Sequence, residues 1–145
     1  MSGRTGERGA ALIEATLIIP LLLLLMVGIF EVSRALETWQ VLTNAAREGA
    51  RMAVTPNSNT GTVSALVHTY MANGHLTSES VANVTVDQGA SIVVNGSTVG
   101  ASVVTVDYPF EFMMLQPVAS LVVPGSTTGQ AITMRATALM RNEAQ

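Results

Sequence analysis

From Ala10 to Phe30 the chain is apolar at every position but Glu14 and Thr16. A run of about 21 such residues matches the length that a helix needs to cross a bilayer. Beyond Phe30 the pattern changes without a break. Val32, Ala35, Leu36, Trp39, Leu42, Ala46, Ala50 and Ala53 recur at helical spacing, while Arg34, Glu37, Gln40, Asn44, Arg47, Glu48 and Arg51 occupy the opposite side. One helix is therefore predicted from Ala10 to about Ala53, roughly 65 Å long at 1.5 Å per residue. Its first half is apolar all round, and its second half is amphipathic and needs a cover. Pro20 removes one backbone bond to Thr16 inside the span, so a local kink is expected there. Ala45, Gly49 and Ala53, with Ala46 and Ala50 beside them, form a seam of small residues that lets another element approach the helix backbone. Packing against the chain's own sheet or second helix is the expected use, and contact with another helical subunit the alternative.

Pro56 and the turn formers around it end the long helix. A shorter helix is predicted over residues 62–72, with Val63, Leu66, Val67, Tyr70 and Met71 on one side and Asn73-Gly74 as its stop. From Ser80 the period falls to 2, and segments 81–87, 91–94, 101–108 and 131–140 read as strands. Asn95-Gly96 signals a hairpin whose loop could extend to Gly100. Pro109 is expected to end its strand. Residues 110–123 are apolar without clear period and are expected to wrap an edge or the base of the sheet; left exposed, they would make a subunit contact or a membrane-touching surface. The fold class is α+β: a long N-terminal helix packed with a short helix and a small antiparallel sheet of about four strands.

Charge and composition narrow the functions on offer. Arg4 and Arg8 precede the apolar run, whereas Glu31, Arg34 and Glu37 after it sum to net negative, so the positive-inside rule places the N-terminus in the cytoplasm and residues 31–145 outside. Charged residues are 12% of the chain, about half the share in an ordinary soluble domain, which leaves Ser, Thr and Asn to carry the polar surface. A formal charge of -3, no lysine and scattered arginines exclude nucleic acid as a natural partner. The absence of cysteine removes disulfides, thiolate metal sites and a cysteine nucleophile together.

Catalytic chemistry is not evident. Gly96-Ser97-Thr98-Val99-Gly100 has threonine where a nucleophile elbow needs serine. No phosphate loop, zinc-helix motif or dinucleotide glycine pattern occurs. His68 and His75 lack further ligands nearby in sequence and read as surface residues. Asp87, Asp107 and Glu111 could converge on a calcium ion, although acidic residues also sit at strand ends for solubility. No cofactor and no metal are expected, and the chain does not read as an enzyme.

Glu14 is the costly residue, since a carboxylate in hydrocarbon costs about 2.5–3.5 kcal/mol on insertion scales. Either it bends back to the cytoplasmic headgroups or it awaits an opposite charge from another molecule. Arg8-Gly9-Ala10, with Glu14 in the fifth place after the glycine and an apolar run behind it, resembles the class III signal of type IV prepilins. The phrase GAALIEATLIIPLLLLLMVGIFEVSRAL, followed by AAREGARMA at residues 45–53, is similar to TadE-like proteins, the minor pilins or pseudopilins of tight-adherence (Tad, type IVc) pili. The resemblance is densest over residues 8–54. It implies that residues 1–9 are a cytoplasmic leader, that a prepilin peptidase cuts after Gly9, and that the new ammonium of Ala10 pairs with Glu14 of a neighbouring subunit. Residues 10–30 would then be the membrane part of the helix, 31–54 its amphipathic continuation and 55–145 the exported domain.

The partners implied are other minor pilins, the major pilin, the peptidase, a membrane platform with its assembly ATPase, and lipid. The chain would sit in the cytoplasmic membrane as a single-pass protein and enter a surface pilus. The alternative is an unprocessed single-pass protein that displays a binding or envelope-tethering domain.

Overall fold

The computed structural model describes residues 4–142, of which the side chains of 4–8, 121 and 122 are not described. The long helix α1 spans Arg4–Ala53 and runs through Pro20. It begins before the predicted start at Ala10, inside the stretch that the resemblance implies is a leader; Met1 to Gly3 of that stretch lie outside the described residues. Extending an existing helix fixes one residue per bond gained, and Gly6 and Gly9 weaken that extension without stopping it.

The last carbonyls of α1 find partners in the following turn. The Met52 carbonyl accepts from the Thr55 amide and hydroxyl, and the Ala53 carbonyl accepts from the Ser58 hydroxyl at 3.0 Å. Helix α2 follows at Thr60–Asn73, one turn longer in all than predicted. Asn59 opens it with a reciprocal cap: its side chain accepts from the Thr62 amide at 2.9 Å, while Thr62 Oγ1 accepts from the Asn59 amide. Val63, Val67 and Met71 are its buried side, whereas Tyr70 is 38% exposed.

The sheet has three strands, not four: β1 (Asn83–Val94), β2 (Ser97–Phe110) and β3 (Ile132–Arg141), antiparallel in the order β1-β2-β3. Two predicted strands are one, because Asp87-Gln88-Gly89 forms a bulge rather than a turn. Asp87 lies opposite Val103 and Ala90 opposite Ala101, so β1 carries one extra residue there. Val81, predicted to start a strand, belongs to a short helical turn at Glu79–Val81.

The hairpin loop is only Asn95-Gly96, with φ of 51° and 79°, and it does not extend to Gly100. Positive φ at both centres is the turn whose twist matches paired strands. Pro109 does not end β2. Pairing with β1 stops at Asp107, so Pro109 has only β3 beside it, and a missing donor is tolerated on such an edge.

Two compact units divide the chain. One holds α1 up to Arg34 together with Phe112–Gln130, which includes the eight-residue helix α3 (Leu115–Val122). Of residues 110–123, expected to wrap the sheet, Phe110 closes β2 and the segment from Phe112 on groups with the first part of α1. The other unit holds Ala35–Glu111 and β3. Its core lies between α1, α2 and the inner face of the sheet, where Leu42, Ala45, Val63, Val67, Val104 and Val106 are at most 1% exposed. The outer face of the sheet carries Thr105 against Thr137 and Asp107 against Arg135. This is the one-face-buried alternation that an antiparallel sheet permits.

Candidate functional site on the long helix

Apolar side chains line the first half of α1, yet none of its most apolar 18-residue window is buried. A helix of this length and composition, exposed on every side, is not the core helix of a water-soluble domain. Among the described residues it is the one helix long and apolar enough to cross a membrane, which points to single-pass anchoring. Its few hydroxyls are satisfied by the helix itself, with Thr16 Oγ1 donating to the Leu12 carbonyl at 2.7 Å and Ser33 Oγ to the Ile29 carbonyl at 2.8 Å. Such back-bonding removes the need for water along an apolar surface.

Gly9 and Ala10 lie in the second turn of α1 and are exposed, and a Cβ added at Gly9 would meet nothing within 4 Å. Glu14 projects from the same end, exposed, and makes no side-chain hydrogen bond or ion pair with another described residue. The three residues therefore form an open helix surface rather than an enclosed site.

Glu31 is the opposite case, and nothing in its local sequence distinguished it. It is 1% exposed. One carboxylate oxygen accepts from Arg34 Nη1 at 2.9 Å, and the other accepts from the backbone amide of Met114. The spacing to Arg34 is an ordinary i,i+3 helix pair. The bond to Met114, from a residue far along the chain, was not legible.

The small-residue seam is buried throughout: Ala45, Ala46 and Ala50 are 0% exposed, Ala53 is 5% exposed, and Gly49 is buried with them. A Cβ at Gly49 would lie 2.6 Å from Val67 Cγ2 of α2 and 3.2 Å from Val104 Cγ1 of β2. At the far end of α2, a Cβ at Gly74 would lie 2.5 Å from Val41 Cγ1 of α1. α2 thus runs back along α1, and the seam faces its own domain.

Gln88, in the bulge of β1, closes the end of that packing. Its Nε2 donates to the Ala53 carbonyl and to Ser58 Oγ, both at 3.0 Å. Residues of this corner line a polar cavity of about 370 Å³ that also includes Ser102 and Asn142.

The histidines and acidic residues weighed for metal binding are otherwise engaged. His68 Nδ1 donates to the Glu79 carbonyl at 2.8 Å, and His75 Nδ1 to the Asn73 carbonyl at 3.0 Å. Asp87 accepts from the Gly89 amide, and Asp107 is held by Arg135 through two bonds, at 2.6 and 3.0 Å. The Arg135 guanidinium keeps the Asp107 carboxyl below the usual carboxylate range, and Arg51 does the same for Glu48. Among the described residues no three His, Asp or Glu side chains come together in a metal-binding group.

No curated protein and no solved structure matches the chain. Residues 9–51, which begin at Gly9 and carry Glu14, Glu31 and most of the buried seam, match the family model of TadE-like proteins.

Proposed function

We propose that this chain is a minor pilin or pseudopilin that takes part in assembly of a Tad (type IVc) pilus. The family match over residues 9–51 carries the reading. It is supported by the unburied apolar half of α1 and by Glu14, a carboxylate with no partner among the described residues. In this reading the N-terminus is cytoplasmic, a prepilin peptidase cuts between Gly9 and Ala10, and residues 55–145 are exported. The ammonium of Ala10 on one subunit then pairs with Glu14 of another, which sets the register of the two helices and removes the cost of a lone charge in hydrocarbon. TadE-like proteins are not an enzyme family, and the role is that of an assembly subunit without a cofactor.

Intact mass and N-terminal sequencing of the protein from native membranes, with and without the peptidase, test the proposal. A peptidase-dependent start at Ala10 is expected. Met1 or Ser2 retained in both samples would leave an uncleaved single-pass protein that displays its sheet domain. Glu14→Ala is expected to be processed but poorly incorporated into sheared fibres, and normal incorporation would remove the pairing role.

A further inference from the structure

The segment that groups with the anchor has its own chemistry. From Phe112 to Met134 the chain carries no charged residue and no histidine. Apolar side chains stand open at both ends of α3: Met113 is 60% exposed and Met114 45% on one side, and Val123 57% on the other. On the helix itself, Leu115, Val118 and Ala119 are half-buried, and the exposed Ser120 hydroxyl donates to the Pro117 carbonyl at 2.8 Å. The following loop folds back over the first turn of α3 at Gly129, whose φ of 81° and lack of a Cβ permit it; a Cβ there would lie 2.6 Å from the Gln116 amide.

One of the bonds of this segment fixes a point on α1. The Met114 amide donates to Glu31, the residue that immediately follows the apolar run 10–30. Where residues 10–30 cross a bilayer, Met114 is therefore held at the outer end of the span, at the boundary of hydrocarbon and headgroups. Exposed methionines beside an uncharged stretch suit a fluid apolar surface, because Met is unbranched and adapts its shape to what it meets. An amphipathic element at such a boundary gains by burying its apolar side chains among the acyl chains while its polar atoms stay among the headgroups.

We propose that Met113, Met114 and Val123 dip into the outer leaflet of the membrane beside the anchor, so that the chain holds lipid with a second, shallow element as well as with α1. The occupant is lipid because these exposed apolar side chains belong to the same compact unit as the exposed apolar half of α1. The proposal rests on the reading of α1 as membrane-spanning.

The chain has no cysteine, so single sites can be labelled cleanly. Met113→Cys and Val123→Cys, each carrying an environment-sensitive fluorophore, would be placed in phosphatidylcholine vesicles as the full chain. Leu22→Cys serves as the reference within the span, and Val93→Cys, at a site 73% exposed near the hairpin turn, as the reference in water. Quenching by a shallow doxyl lipid and by aqueous iodide would be compared at all four positions. Labels at 113 and 123 are expected to be quenched severalfold more by the doxyl lipid, and severalfold less by iodide, than the label at 93. Labels that behave as at 93 overturn the proposal while a Leu22 site shielded from iodide leaves the anchor standing. Protection from iodide without doxyl quenching also overturns it, because a protein surface then covers the segment. A Leu22 site that iodide quenches as readily as the site at 93 overturns the anchor reading and the proposal together.

Discussion

The two halves of α1 are continuous in backbone and opposite in what surrounds them. In the first half Leu21, Leu22 and Leu25 are 64%, 53% and 60% exposed, whereas in the second half Leu42 is 0% exposed. Glycines show the same contrast, since a Cβ at Gly28 would meet nothing within 4 Å and one at Gly49 would strike Val67. Large side chains face outward where the surroundings are lipid, and small ones face inward where the protein supplies its own second helix and sheet. Val32, Leu36 and Trp39, expected on the covered face of the second half, are 59%, 57% and 47% exposed, so the packed side is carried by Leu42 and the small-residue seam.

Gly49→Leu is the substitution that should separate the halves most strongly. A branched side chain forced against Val67 and Val104 cannot be absorbed by one rotamer change, and overpacking of this kind costs about 3 kcal/mol. Gly28→Leu puts the same residue in open surroundings and relieves the entropy cost of a helical glycine, about 1 kcal/mol. Thermal unfolding in detergent is expected to show a large loss for the first and none for the second. Equal loss in both would mean that the two halves share one packing environment.

The two glutamates sharpen the comparison. Glu31 is satisfied within its own unit by Arg34 and by the Met114 amide, while Glu14 finds no described partner. Glu31→Ala leaves the Met114 amide without its acceptor, at a cost of about 1–3 kcal/mol. Limited proteolysis is expected to cut residues 112–130 faster in that variant, and a digestion rate equal to wild type would dismiss the bond. Glu14→Ala should leave the stability of the isolated chain unchanged if, as proposed, Glu14 acts between subunits.

These two glutamates also mark the limit of what the sequence made legible. The length of the apolar run, the 3.6 period of the seam and the Asn-Gly turn are local signals, and each appears in the structure as an element. The third helix and the burial of Glu31 depend on a contact between residues distant in sequence, for which no local pattern exists. The bulge shows a different failure. Asp-Gln-Gly has the composition of a turn, and only the register of β1 against β2 reveals that the strand continues through it. Gly9, Ala10 and Glu14 were singled out through resemblance, because an open helix surface has no geometry that would announce a site.

Gln88 offers a smaller test of how the buried half ends. Its amide joins the bulge to the Ala53 carbonyl and to Ser58, so Gln88→Ala removes the side-chain donor from the end of α1. A hydrogen bond of this kind contributes about 1 kcal/mol net. Hydrogen exchange is expected to quicken at the last turn of α1 and at Ser58 while the first half of the helix stays as before. Unchanged exchange at both places would show that the cap is supplied by Ser58 alone.

The smallest effect should come from the outer face of the sheet that covers the second half. Arg135 holds Asp107 through two bonds and lowers its carboxyl below the ordinary aspartate value of about 4. The sign follows from linkage: the folded state binds the proton less readily than the unfolded state, so the contribution is complete above the unfolded value and disappears as pH falls through the lower folded one. Stability near neutrality should therefore contain this contribution in full without changing with pH, and the loss should appear only on the acid side. Asp107→Asn removes the titration, and its acid limb in thermal unfolding should be shallower than that of the wild type. Glu48, lowered in the same direction by Arg51 on α1, makes an independent contribution, so Glu48→Gln serves as the comparison. Both pairs are solvent-screened, which limits each effect. An acid limb identical in all three proteins would show that neither pair distinguishes folded from unfolded chain, and that the cover of the second half is held by its apolar face alone.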